Sequence, residues 1–215
     1  MSKKQAKRYT LGEEIFSSVS HGTGAALAVA GCAIIIIRAV LTGSGTVGIV
    51  SASLYGASLI ILYTMSTLYH ALTNKTAKRV FRIFDHCTIF VLIAGTYTPF
   101  TLVTLRGGVG YTIFGIMWGV TALGIVLNSI GLEKFSKISM ALYILMGWCI
   151  IFAIKPLLAA LDTVGLILLL LGGVFYTGGV AFYKLKIKYM HSIWHLFVLA
   201  GSLSHYFSIL LYVYK

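Results

Sequence analysis

The chain has 215 residues, 59% of them hydrophobic and only 10% charged, with a mean hydropathy of +0.94. That balance excludes a soluble domain of average composition and places the chain in a bilayer. Seventeen Lys and Arg against five acidic residues give a net charge of +12, which in a soluble protein would suggest nucleic acid; the placement of the charges argues for a different origin.

A spanning helix needs about 20 mainly apolar residues to cross roughly 30 Å of hydrocarbon. Cutting the sequence where charge or turn residues interrupt such runs predicts seven spans, at 14–41, 47–72, 80–105, 109–130, 135–154, 156–183 and 189–214. The expected fold is an all-α, seven-transmembrane-helix bundle forming one domain over 14–215, preceded by a basic cytoplasmic N-terminus over 1–13. Lys3, Lys4, Lys7 and Arg8 before an apolar run, and the lipoprotein-like box Val29-Ala30-Gly31-Cys32, imitate a secretory signal. The run continues through Ala33 to Ile37 and six more spans follow, so the first span is expected to be retained.

Counting Lys and Arg in alternate connections sets the orientation, because positive residues accumulate on the cytoplasmic side. The N-terminus carries four, the loop with Lys75, Lys78, Arg79 and Arg82 four, Lys134 and Lys137 two, and Lys184, Lys186 and Lys188 three, making 13. Arg38, Arg106, Lys155 and Lys215 give the other face only 4. The N-terminus is predicted inside and the C-terminus outside in a multi-pass protein of the cell membrane. This accounts for the basic charge without a nucleic-acid partner, while attraction of anionic lipid would accompany the same topology. Cys32, Cys87 and Cys149 stand singly in apolar runs, which indicates packing rather than disulfides or a thiolate zinc site. Glycines such as Gly24, Gly172 and Gly179 are expected to let helices approach closely. Pro99 should disturb the third span, and Pro156 sits where a span start accommodates it.

Ionisable side chains are costly in hydrocarbon, so those inside spans call for a function and a partner. The predicted topology brings His70 near the inner end of the second span, Asp85 near the inner start of the third, and His191 and His195 near the inner start of the seventh to one membrane level. The i, i+4 spacing of His191 and His195 puts both on one helical face, where they can share a metal ion or hydrogen-bond within a packed interior. With His70 they would form three neutral nitrogen ligands with one open position, a zinc arrangement that polarises a carbonyl and acidifies water, and Asp85 could hold or deprotonate that water. Ser66 shares the face of His70 and could stabilise an oxyanion, or bond to its own preceding turn. His205 lies about 15 Å along the axis from His195 and cannot join the set. His86 points about 100° from Asp85, which suits packing or hydrogen bonding. His21 lies near the inner face, and a hydrogen bond to a neighbouring helix is favoured over ligation.

The ordered set Glu14-x-x-Ser17-x-x-Ser20-His21, Ser66-Thr67-Leu68-Tyr69-His70, Asp85-His86-x-x-Ile89 with Gly95-Thr96-Tyr97-Thr98-Pro99, and His191-Ser192-Ile193-Trp194-His195 resembles the haemolysin III family, the bacterial branch of the progestin and adipoQ receptor family. The resemblance covers nearly the whole chain. It implies seven helices with the N-terminus inside, zinc held by His70, His191 and His195, and Asp85 touching zinc-bound water. Ser66 matches the serine of the alkaline-ceramidase-like membrane hydrolases, whereas Ser17 stands where many relatives carry asparagine.

Three functions are expected to compete. The first is a zinc-dependent hydrolase of a lipid amide or ester, with Asp85 as base and Ser66 assisting. The second is a sensor or regulator in which structural zinc staples helices and a membrane lipid acts as ligand. The third is a haemolytic pore, for which the spans offer few charged residues to line an aqueous path. No soluble partner or oligomeric state is indicated.

Overall fold

The computed structural model describes residues 9–215; the basic residues Lys3, Lys4, Lys7 and Arg8 lie outside them. The described chain is all helical. Helix α1 (Leu11–Leu41) starts three residues before the predicted span because Thr10 and Glu13 form a capping box: the Glu13 carboxylate accepts from the Thr10 amide at 2.8 Å while Thr10 Oγ1 accepts from the Glu13 amide at 3.4 Å. A tight turn with Gly43 and Gly45 at φ +64° and +65° leads into α2 (Gly45–Ala71), positive angles that a side chain would resist.

Helix α3 (Lys75–Pro99) begins five residues before the expected span. Asn74 caps it by accepting from the amides of Thr76 and Ala77 at 3.0 and 3.1 Å, so Lys75, Lys78 and Arg79 ride on a helix rather than in a loop. Behind Pro99 the backbone widens into a π-helical turn, Phe100–Leu105, the disturbance expected where a ring replaces an amide donor.

The predicted fourth and fifth spans fall in one continuous stretch. Helix α4 (Gly107–Trp148) passes through a 3₁₀ segment, Cys149–Ala153, into the short α5 (Ile154–Ala160). These 54 residues would reach about 80 Å if straight, far beyond a bilayer core, but the backbone of Gly131 is non-helical and kinks the stretch. Ser139 donates to Asn128 Oδ1 at 2.7 Å, whereas eleven helical residues would separate them by about 16 Å. Ile113 and Met117 share an apolar cluster with Met146 and Ala153, so the two halves lie against each other.

Pro156 therefore sits in the first turn of α5, and the predicted sixth span begins later, at α6 (Thr163–Lys184), behind Asp162. Helix α7 (Met190–Ser208) ends in a second π turn, Ile209–Val213. Six helical stretches among the described residues are long and apolar enough to cross a membrane. Side chains such as Leu27, Ile34, Val126 and Leu170 are more than half exposed on their outer faces, apolar surface that a bilayer rather than water would cover.

The interior is built by close approach. A Cβ on Gly24 would meet Leu199 and Tyr63, and one on Gly172 would meet the ring of His205, so small residues set these helix spacings. The cysteines are free. Contacts sort the helix ends into two groups. Glu14 reaches Lys78, Glu13 reaches Tyr189, and Arg82 reaches Glu133 at one end; Arg38 reaches the Tyr214 carbonyl and Lys215 reaches Asp162 at the other.

Candidate metal centre

His70 stands in the last turn of α2, and His191 and His195 stand in the first turns of α7. Sequence separates His70 from the other two by more than a hundred positions, yet the ligand atoms of all three lie within 4.8 Å of one another. His191 Nε2 is 3.4 Å from His70 Nε2 and 3.2 Å from His195 Nε2. Nitrogens bound at 2.0–2.1 Å on a tetrahedral zinc ion stand about 3.3 Å apart, so both separations match a tetrahedral edge. One N–H on His191 could satisfy only one of these contacts. The group could hold a metal ion.

The two parent helices are aligned through α1. Tyr189, immediately before α7, adopts a left-handed conformation at φ 67°, costly for a residue with a side chain. Its amide donates to Glu13 Oε1 at 2.8 Å, which fixes the turn from which His191 projects. Ser192 then meets Ser17 at 3.1 Å and lies 3.4 Å from the Glu13 carbonyl. The capping box of α1 is thus also the anchor of α7.

Glu14 acts directly on a candidate ligand. Its Oε2 accepts from His70 Nδ1 at 2.7 Å and its Oε1 lies 3.0 Å from Lys78 Nζ. A carboxylate on Nδ1 keeps the proton there and turns the lone pair of Nε2 towards the other imidazoles. Lys78 also donates to the carbonyls of His70 and Leu72, both at 3.3 Å, clamping the end of α2. Tyr9 stacks on His191 at 4.5 Å between ring centroids. None of these three stands out in the sequence for such a role: Glu14 is only part of a motif and Lys78 only a topological charge. A carboxylate in the first turn of a span, at the same level as an intramembrane histidine, is the signal that could have found Glu14.

Asp85 is buried and stands outside the 4.8 Å group. It lines a cavity of about 670 Å³ together with His21, Tyr143, Tyr176 and Trp194. His70, His191, His195 and Ser66 are not among the lining residues. Ser66 is 1% exposed and its hydroxyl has no hydrogen-bond partner among the described residues. The back-bond to its own turn is absent, unlike Thr67, which donates to the Tyr63 carbonyl at 2.7 Å.

The remaining histidines separate clearly. His205 Nε2 lies 3.0 Å from the Leu169 carbonyl, away from the cluster. The carbonyl of His86 accepts from Tyr143 at 2.7 Å and its side chain lines the cavity. The backbone of His195 on a neighbouring helix lies near the His21 ring, but no hydrogen bond of good geometry forms. Both ring nitrogens are buried without a hydrogen-bond partner among the described residues, and the ring instead stacks on His195 with centroids 3.7 Å apart and planes 24° from parallel. An unpaired buried polar group costs about 1–3 kcal/mol.

A family model described as Haemolysin-III related matches residues 9–206. The chain is 43% identical over 208 residues to the Hemolysin-3 homolog of Bacillus subtilis (strain 168), covering 96% of this chain and 97% of that protein. It is 44% identical over 202 residues to Hemolysin-3 of Bacillus cereus, covering 94% and 92%. Monocyte to macrophage differentiation factor of Homo sapiens is 29% identical over 173 residues, 77% of this chain and 71% of that one. The match runs through every histidine of the cluster, and the chain belongs to the haemolysin-III-related family of membrane proteins.

Proposed function

We propose that the protein is a zinc-dependent hydrolase of a lipid amide or ester, with His70, His191 and His195 as the metal ligands. The observation that carries this is the pair of imidazole separations at a tetrahedral edge beside a cavity lined by Asp85. A zinc ion bound there would polarise the scissile carbonyl and make a water molecule more acidic. The chain's own residues supply the rest. Asp85, outside direct ligand distance of the group, accepts a proton at its carboxylate from the attacking water. The unpaired Ser66 hydroxyl donates to the developing oxyanion. Glu14 holds His70 in the ligating tautomer, and the cavity takes the acyl chain out of water.

The site lies at the end where Lys78, Arg82 and Glu133 gather, which we assign to the cytoplasmic side. The contacts across Gly131 support two membrane passages within Gly107–Ala160, hence seven in all with the N-terminus inside and the C-terminus outside a cell membrane.

A second reading is a lipid-responsive regulator, favoured by the way the cluster ties α2 to α7 while Glu13 and Glu14 tie both to α1. The names of two relatives raise membrane lysis as a third. Purified wild type, His191→Ala and Asp85→Ala, compared for zinc content, lipid turnover and dye leakage from liposomes, separate them. Hydrolysis requires turnover that both variants lose, with zinc lost only in His191→Ala. Stoichiometric zinc without turnover on a broad lipid panel refutes the hydrolase in favour of the regulator, and leakage indifferent to both variants points to lysis independent of the metal.

A further inference from the structure

His21 is the one described histidine that both touches the metal cluster and lines the cavity. It is 2% exposed, its two ring nitrogens have no hydrogen-bond partner among the described residues, and its other aromatic neighbour, Tyr63, meets it edge-on at 5.0 Å. A neutral imidazole carries one N–H donor and one lone pair, and buried groups of this kind find partners in nearly every folded protein.

The metal is the wrong partner. An imidazole ligates through a lone pair in its ring plane, and an ion held in the plane of His195 stands to one side of the nearly parallel plane of His21, 3.7 Å away. His21 is also absent from the group of mutually close ligand atoms. Among the described residues no hydrogen bond of good geometry reaches its ring nitrogens, and the cavity is the space it borders.

We infer that His21 is a ligand-binding residue that donates a ring N–H to the carbonyl oxygen of a lipid amide or ester in the cavity, beside the metal rather than on it. This rests on the reading that the cavity takes an acyl lipid. It places the carbonyl end of the lipid between His21 and Asp85, both of which line the cavity, and leaves the hydrocarbon chain to the apolar remainder.

The test uses full-length, zinc-loaded protein in the Asp85→Asn background, so that the probe is not consumed. Binding of pyrene-labelled palmitamide is compared with that of the same labelled hydrocarbon lacking the amide. The protein with His21 intact should prefer the amide, and His21→Phe, which keeps a ring to stack on His195, should bind the hydrocarbon unchanged while losing about tenfold in amide affinity, the weight of one hydrogen bond. His21→Asn, which restores an N–H donor, should regain part of that loss, and zinc content should stay stoichiometric in both. An amide preference undiminished in His21→Phe, no preference with His21 intact, or loss of zinc in His21→Phe each overturns the inference. Turnover of the amide by protein with Asp85 intact is scored separately, so failure of the hydrolase reading leaves the binding comparison decisive.

Discussion

Replacing Glu14 by alanine tests whether the metal centre is organised from outside its ligands. The substitution removes the acceptor 2.7 Å from His70 Nδ1 and the partner 3.0 Å from Lys78 Nζ. His70 has no exposed side-chain surface and the Glu14 side chain is 14% exposed, so water replaces the lost carboxylate poorly and the ring is free to tilt or to change tautomer. Supporting hydrogen bonds of this kind are worth about 10- to 100-fold in metal affinity, or about 1.4–2.8 kcal/mol. Competition with a calibrated zinc chelator in detergent should show a loss in that range for Glu14→Ala. A smaller loss is expected for Glu14→Gln, whose amide oxygen still accepts, and less than about threefold for Lys78→Met, which leaves the Glu14–His70 bond in place. Affinity for Glu14→Ala within twofold of wild type would refute the positioning role, and a loss as complete as that of His191→Ala would show that Glu14 is itself a ligand.

His195→Ala should abolish stoichiometric zinc, whereas His205→Ala, which breaks the contact with the Leu169 carbonyl away from the cluster, should retain it; elemental analysis of both checks the assignment of ligands. Glu13→Ala loses the capping box and the acceptor for the Tyr189 amide together, and should lower stability by about 1–2 kcal/mol, read as a fall in Tm in detergent. Gly172→Ala drives a methyl into the His205 ring and should cost about 1–3 kcal/mol, while Gly115→Ala, whose added Cβ meets nothing within 4 Å, should be neutral or slightly stabilising; parallel melts test the contrast.

Hydropathy and residue spacing made much of this protein legible. The apolar runs located the helices, since crossing a bilayer imposes a length on each one, and the basic clusters marked the end at which His70, His191 and His195 meet. The i, i+4 pair was readable because a helix repeats every 3.6 residues. Boundaries were less legible: the caps at Thr10 and Asn74 extend α1 and α3 beyond the apolar runs because hydrogen bonds, and not hydropathy, start a helix. The kink at Gly131 joins two expected spans in one helical stretch, and its glycine resembles the chain's other glycines in sequence.

What the sequence by itself determined was a helical membrane protein of this family with three histidines at one depth. Only the tertiary structure decided that the ring nitrogens come to 3.2 and 3.4 Å, that Glu14 holds His70, and that His21 stacks on His195. Depth along a helix is a local quantity, fixed by counting residues. Which faces meet depends on the rotation of α1, α2 and α7 about their axes, set by contacts such as Glu13 with Tyr189 and Gly24 with Tyr63 that join positions far apart in the chain.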